Sequence, residues 1–463
     1  LTRTGTDRVE RDESIRRSFA ADVSGLVLVP EGVARPSSVD EVVEIVERSA
    51  AERTPITAAG GQTSTTGASI TDRGIILSLR RLDRIIDVDP AARVARVEAG
   101  VGLGDFKRAV AAEGLLFAPD PTSEDDVTIG GAIACNASGA RSLRYGATRA
   151  HVLGLKVVLA NGDVLDVRRP GLEKNTAGYA LAQDPVDWFV GSEGTLGVVV
   201  EAELALLRRP DQVTGLAIPF RHEHDALRFV VAARESARLT PRCLEYFDGR
   251  ALAIARQAQG RADWLARADA MIYAEEASSN GGDPPLDEWL ALAERHGATS
   301  DEVLALGSEA ELRDARRFRH AVPAHMNERG ASVRAAGGRK LSTDWAVPFR
   351  LLPAAIAEAR ALADNAGIEQ AVIYGHAGSG HPHQNFIARD SAERATIERV
   401  IESTLRHVLS LGGTVSAEHG IGKLKRRWLP LQATPAQLGV MRAVKRELDP
   451  HGLLAPGNIF DPS

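Results

Sequence analysis

Val39, Val42, Val43 and Val46 recur at helical spacing in VDEVVEIVERSAAE (39–52), which predicts an amphipathic helix. Pro36-Ser37-Ser38 in front of it supplies the capping chemistry of a helix start. TPITAAGGQTSTTGAS predicts a short strand running into a Gly/Ser/Thr loop. GIILSL, ARVARVEAG, HVLGLKVVLANGDVLDV and GVVVEAELAL predict further strands. Within HVLGLKVVLANGDVLDV, Asn161-Gly162 marks a hairpin turn. The N-terminal part thus mixes short helices with many strands and does not alternate like a doubly wound parallel sheet.

The pattern changes near Arg208-Arg209-Pro210. From there to about residue 410, long Ala/Arg/Glu-rich helical stretches (223–239, 285–296, 353–366) alternate with a few apolar strands, and glycine-rich loops return in the last fifty residues. This predicts a first domain over 1–210, a cap over 211–410 and a segment, 411–463, that returns to the first domain.

Composition narrows the chemistry. The 463 residues exceed one ordinary core, and 44% hydrophobic with 25% charged residues is the balance of a globular enzyme. A net charge of −6 argues against a general nucleic-acid binder. The two cysteines, Cys135 and Cys243, allow neither a disulfide framework nor an iron–sulfur cluster, which favours a reducing compartment. No uncharged apolar run approaches 18 residues, so a cytoplasmic protein, at most peripheral to a membrane, is expected.

Two glycine-rich stretches draw attention. AAGGQTSTTGA (58–68) could expose backbone N–H groups as an anion nest, or be a plain surface turn. GHAGSGHPHQN (375–385) threads three histidines through a turn and reads equally as a metal site, a phosphate loop or a polar hairpin. His381, His383 and Asn385 alternate and so share one strand face, with His376 on the opposite arm.

Taken in order, AAGGQTSTTGA, PDPTSEDDVTIGGAIACNASGARSLRYGATRAHVLGLKVV (119–158), KNTAGYAL (174–181) and WFVGSEGTLGVVVEAEL (188–204) resemble the FAD-binding domain of the vanillyl-alcohol oxidase / p-cresol methylhydroxylase (PCMH) superfamily. The resemblance runs from about residue 35 to the end and lies with the D-lactate dehydrogenase, glycolate oxidase and D-2-hydroxyglutarate dehydrogenase branch. It implies an α+β fold: a PCMH-type FAD domain and a mixed cap around an antiparallel sheet. It places FAD phosphates at Gly60, Gly61, Gln62, Thr63 and Ser64, and the ribityl and flavin at Pro119, Asp120, Gly131, Asn136 and Gly139. Glu193, Gly194 and Val199 match the adenosine side. No histidine occurs in residues 1–150, so FAD is expected to bind non-covalently.

VIYGHAGSGHPHQNFIA (372–388) and GGTVSAEHGIGKLKRRWL (412–429) resemble the branch's paired motifs. By that match His376, His383 and Glu418 hold a divalent ion such as Zn²⁺ or Mn²⁺, a donor set that suits such ions. Ser379 and His381 replace the motif's Asp and Asn, which leaves His381 as a bystander, a group orienting a ligand, or a ligand itself. His419 matches the base, Arg319 the substrate-carboxylate arginine (with Arg316 and Arg317 close enough to blur the register), Lys340 a second cation, and Asn385 a substrate hydrogen bond. Pro323 stands where some relatives carry a hydroxyl, favouring a short substrate over a dicarboxylate. Ala455 and Asn458 depart from the family's terminal stretch.

The implied activity is oxidation of a small D-2-hydroxy acid, lactate- or glycolate-like, with electrons passed to a cytochrome, a quinone or an electron-transfer flavoprotein. A homodimer is left open. The alternatives are an oxidase, an alkylglycerone-phosphate-synthase-like transferase, or a non-catalytic flavin-binding subunit.

Overall fold

The computed structural model describes residues 8–179, 184–260, 265–278, 282–298, 300–368 and 371–461. Their fold is α+β, in two compact units. The first comprises the described residues of 1–138, 146–209 and 418–463, and the second those of 139–145 and 210–417.

Among the described residues the first unit holds two larger sheets and a two-stranded pair, Leu115–Leu116 with Leu207–Arg208. β1 (Val9–Glu10), β2 (Gly32–Ala34), β3 (Ile56–Ala59) and β4 (Ile75–Ser78) form one, in the order β1-β2-β4-β3, with β2, β4 and β3 parallel. The predicted helix is α1 (Val39–Glu52). The Ser38 side chain caps it by accepting from the Glu41 N–H, and Val42, Ile45 and Val46 are buried against the sheet. Burial of each such side chain is worth about 1.5–3 kcal/mol, which fixes α1 on this face.

The other sheet is antiparallel: β5 (Ile85–Asp89), β6 (Val94–Glu98), β7 (Val152–Val158), β8 (Val164–Arg168) and β9 (Val198–Ala205), in the order β5-β6-β9-β7-β8. Asn161-Gly162 turns β7 into β8, with Gly162 at φ +92°. α2 (Leu103–Ala112) and α3 (Ile129–Cys135) share its core through Leu103, Phe106, Ile129 and Ile133. The C-terminal stretch pairs with β3: the Ile56 N–H donates to Leu453 at 2.8 Å, and the Ala455 N–H to Ile56 at 2.7 Å.

The second unit is built on one seven-stranded antiparallel sheet: β10 (Gln212–Phe220), β11 (Pro241–Asp248), β12 (Ala270–Ser278), β13 (Leu304–Leu306), β14 (Gly337–Ser342), β15 (Val372–His376) and β16 (His381–Asp390). Their spatial order is β13-β10-β12-β11-β15-β16-β14. α4 (Gly249–Ala258) and α5 (Glu309–Ser332) cover part of one face, packing Leu252, Phe318, Val322 and Met326 onto Phe247 and Tyr374.

Register decides what else lies on that face. Tyr273 pairs with Glu245, Phe247 with Tyr374, His376 with His381, Tyr374 with His383, and Asn385 with Ser342. Because side chains alternate, Glu245, His376, His381, His383 and Asn385 all emerge on the side that α4 and α5 only partly cover.

Candidate active site

In the first unit, the loop after β3 carries Gly60 and Gly61. A Cβ on Gly60 would lie 2.1 Å from Thr128 Oγ1, and one on Gly61 2.0 Å from the Asp126 carbonyl. The glycines are therefore demanded by the neighbouring 126–128 turn, whatever else the loop binds. Gln62, at φ +55°, donates to the Phe19 carbonyl at 3.0 Å. Ser64 Oγ accepts from the Thr66 and Ala68 N–H groups, rounding the loop.

Gly60 to Ser64, and Gly130, Gly131 and Ala134 to Ser138, are half-buried and, Gln62 apart, small. Such a lining of small, partly exposed residues suits an extended cofactor with a pyrophosphate. Asn136 caps α3 in the left-handed region (φ +50°) and accepts from the Arg149 N–H at 2.8 Å. The Pro119 carbonyl accepts from Lys107 at 3.1 Å, and the Gly131 N–H donates to Thr128 Oγ1. Asp120 and Thr63 are half-buried, and Val199 is buried on β9. Gly139 belongs to the second unit. In KNTAGYAL, Ala180 and Leu181 lie outside the described residues.

Glu193 does more than its motif implies. It is buried, in the left-handed region beside Gly194 (φ +72°), and its carboxylate accepts from the Ile421 and Gly422 N–H groups at 2.6 and 2.7 Å. Burial raises its pKa, although these bonds and Lys425 and Lys423 act the other way. Asn458 closes the same knot, donating to the Ala68 and Glu193 carbonyls and accepting from Lys423 at 2.7 Å. Burial pushes the Lys423 ammonium down to about 8 and the Cys135 thiol up to about 12, leaving that sulfur protonated.

In the second unit, β15 and β16 form the histidine hairpin. Gly380, at φ +69°, turns it where a Cβ would lie 2.0 Å from the Val347 carbonyl. His376, His381 and His383 are all buried, and each offers a ring nitrogen within 4.8 Å of the others. Carboxylates stand beside two of them, and only the first pair is a hydrogen bond. His376 Nδ1 lies 2.6 Å from Glu245 Oε1, and His381 Nε2 lies 3.0 Å from Asp344 Oδ1. Burial alone would raise Glu245, but His376 and Arg319 hold it down at about 2. As an ionised carboxylate it can only accept, so Nδ1 of His376 carries the proton and Nε2 presents its lone pair.

Arg319 on α5 is buried. Its Nε donates to Glu245 Oε2 at 3.1 Å, and its Nη2 lies 3.3 Å from His376 Nε2. Arg317 is instead exposed and paired with Asp314. Asn385 is fully buried. Its Nδ2 donates to the His383 carbonyl at 3.2 Å, while its Oδ1 has no hydrogen-bond partner among the described residues. Lys340 pairs in register with Ile387, two residues beyond Asn385, and donates to Asn327 at 2.8 Å; burial lowers it to about 8.

Ala417, the last residue of this unit, donates its N–H to the Asp344 carbonyl at 2.8 Å, and Ser416 Oγ donates to Asp344 Oδ2 at 2.7 Å. Glu418 and His419 follow directly in the chain and open the final stretch of the first unit, where the His419 carbonyl accepts from Thr66.

Three imidazoles, two of them beside carboxylates, form a donor set that suits a divalent transition-metal ion. Sequence reading missed Glu245 and Asp344. Their one signal is an acid inside an apolar strand (RCLEYFD) or beside a buried aromatic (TDW).

The family described as "FAD binding domain" matches residues 30–168, and "FAD linked oxidases, C-terminal domain" matches residues 209–459. The chain is 31% identical over 437 residues to glycolate oxidase subunit GlcD of Bacillus subtilis, covering 93% of this chain and 89% of that one. It is 32% identical to a D-2-hydroxyglutarate dehydrogenase of Xanthomonas citri, with the same coverage of each chain. It is 33% identical to a D-lactate dehydrogenase of Archaeoglobus fulgidus, over 92% of this chain and 90% of that one.

Among solved structures, an alkyldihydroxyacetonephosphate synthase shares the fold with a TM-score of 0.71 at 16% identity, over 97% of this chain and 82% of that one. p-Cresol methylhydroxylase does so with a TM-score of 0.71 at 16% identity, over 98% and 94%. The chain belongs to the FAD-linked oxidase family of PCMH type, and is a flavoprotein oxidoreductase by that membership.

Proposed function

We propose that this FAD-linked oxidoreductase oxidises a D-2-hydroxy acid to the 2-oxo acid. The observation that carries the reading is the buried cluster of His376, His381 and His383, with the carboxylates of Glu245 and Asp344 and the Arg319 guanidinium beside it. The three sequence relatives described above are named for 2-hydroxy acid substrates, which supports the same class.

Non-covalent FAD would lie along Gly60, Gly61, Gln62, Thr63, Ser64, Pro119, Asp120, Gly131, Asn136 and Gly139, with Glu193, Gly194 and Val199 at its adenosine end. His376, His383 and Glu418 would hold a divalent ion, Zn²⁺ or Mn²⁺. When bound, the flavin supplies the two-electron acceptor, and the ion the charge that makes a hydroxyl more acidic.

The chain does the rest. Arg319, held by Glu245, supplies positive charge for the substrate carboxylate, with Lys340 as a second cation. Asn385 Oδ1, lacking a donor, is suited to accept from the substrate hydroxyl. His419 takes the hydroxyl proton while the hydride leaves the α-carbon, so atoms and charge balance. The electrons pass on to a cytochrome, a quinone or an electron-transfer flavoprotein.

Anaerobic titration of the holoenzyme with D- and L-2-hydroxy acids tests this by flavin bleaching, before and after chelation. Bleaching by the D-acids that slows on chelation is expected. Indifference of the flavin to every hydroxy acid would overturn the reading.

A further inference from the structure

A second buried charge cluster lies on the same sheet face, and none of the roles above uses it. Arg141, just before the short helical turn Ser142–Tyr145, forks onto Glu275 with Nε 2.9 Å from Oε2 and Nη2 3.1 Å from Oε1. The Tyr273 hydroxyl donates to the same Oε1 at 3.0 Å. Both carboxylate oxygens are thus already engaged. Arg242 also approaches the group, its Nε 3.4 Å from Oε2, and that buried Nε makes no hydrogen bond with any described residue. Its side chain is only 8% exposed. Its guanidinium lies 5.8 Å from the Tyr145 ring centre.

Two guanidinium groups on one carboxylate leave one positive charge, and it is buried. A largely buried cation in excess of its counter-ion is costly, and the buried Nε–H lacks an acceptor. An anion placed against Arg242 would satisfy both needs.

Register fixes where that anion would sit. Glu275 pairs with Cys243, and Glu245, two residues on, pairs with Tyr273. Arg242 is therefore three residues along β11 from the carboxylate that anchors His376, about 10 Å at roughly 3.3 Å per residue. Its head group faces the same side of the sheet, because it meets Glu275 there. Lys340 lies on β14, beyond the histidines in the opposite direction across the sheet.

We infer that Arg242, backed by Arg141, Glu275 and Tyr145, is a subsite for the distal carboxylate of an elongated 2-hydroxy dicarboxylate. The inference rests on the 2-hydroxy acid reading for what occupies the histidine end. It reverses the preference for a short substrate drawn from Pro323.

The test uses the holoenzyme and the variants Arg242→Gln and Arg242→Lys, with FAD content and circular dichroism as checks on folding. Flavin bleaching is titrated with D-lactate, D-2-hydroxyglutarate and D-2-hydroxyadipate. Wild type should favour a dicarboxylate. In R242Q the half-saturation ratio of D-lactate to that dicarboxylate should fall about tenfold or more, as expected for loss of a charged hydrogen bond, and R242K should restore part of it.

Separately, glutarate or adipate should raise the melting temperature of wild type but not of R242Q. An unchanged ratio together with an equal thermal shift in R242Q would overturn the subsite. If no hydroxy acid bleaches the flavin but the R242-dependent thermal shift persists, the subsite stands and the dehydrogenase reading falls. If D-lactate bleaches the flavin and neither dicarboxylate depends on Arg242, the dehydrogenase reading stands and the subsite falls.

Discussion

Glu245 and His376 meet across adjacent strands of the second unit, Oε1 to Nδ1 at 2.6 Å, with both side chains buried. The same carboxylate takes Arg319 on its other oxygen. One acid therefore fixes the tautomer of an imidazole and the position of a guanidinium.

Replacing it should disturb both. Glu245→Gln leaves the Arg319 charge buried without its counter-ion, and loss of one member of a buried pair costs about 3–5 kcal/mol. Urea unfolding should report a drop of that size. Metal uptake by the folded fraction should also weaken, because Nδ1 of His376 loses its strongest acceptor.

Acid should act most visibly through Glu275. Burial would raise its pKa, but Arg141, Arg242 and Tyr273 hold it down at about 2, well below the usual carboxylate range. A carboxylate depressed in the folded state stabilises above its unfolded pKa and loses that contribution as pH falls toward 2. The shift corresponds to about 3 kcal/mol. Stability measured from pH 6 to 2.5 should fall across that window in wild type, and Glu275→Gln should flatten the part due to this group.

His381 is where the hairpin departs from its family motif, and its ring nitrogen lies within the cluster. We expect wild type to bind one Zn²⁺ or Mn²⁺ per chain, counted by mass spectrometry after dialysis. His383→Ala should lower the stoichiometry. His381→Asn should keep the ion and weaken its affinity about tenfold, the scale seen when a ligand's surroundings are altered. An unaltered affinity in His381→Asn would make that imidazole a bystander.

Asn385 separates structure from function. Its Oδ1 lacks a donor, so Asn385→Leu removes an unsatisfied acceptor along with one hydrogen bond to the His383 carbonyl. Those effects nearly cancel, and stability should move by no more than about 1 kcal/mol. Half-saturation of flavin bleaching by the substrate should rise about tenfold if Oδ1 accepts from the substrate.

Gly380→Ala should break the hairpin that opposes His376 to His381. The position has φ +69°, and the added Cβ would fall 2.0 Å from the Val347 carbonyl, a backbone atom with little freedom to retreat. The left-handed conformation alone costs about 1–2 kcal/mol for a residue with a side chain, and the clash adds to it. A lowered urea midpoint together with reduced metal uptake is expected.

Local pattern carried far in this chain. The valine spacing of 39–52, the Ser38 cap and the Asn161-Gly162 turn are interactions between near neighbours, and each is an element of the fold. The alternation of His381, His383 and Asn385 likewise follows from strand geometry alone.

What sequence by itself could not determine is which distant residues share a sheet face. Glu245 stands 131 residues before His376, Asp344 37 before His381 and Arg242 33 before Glu275, and nothing in their own neighbourhoods marks the partner. Only the register of β11 against β12 and β15, and of β16 against β15 and β14, brings them together. The glycines show the same limit from the other side. The sequence shows that Gly60 and Gly61 belong to a loop, while the tertiary structure shows that the 126–128 turn takes the space a side chain would need. Near-neighbour forces are written in the order of residues. Burial and charge pairing depend on which surfaces meet, and that was decided when the sheets closed.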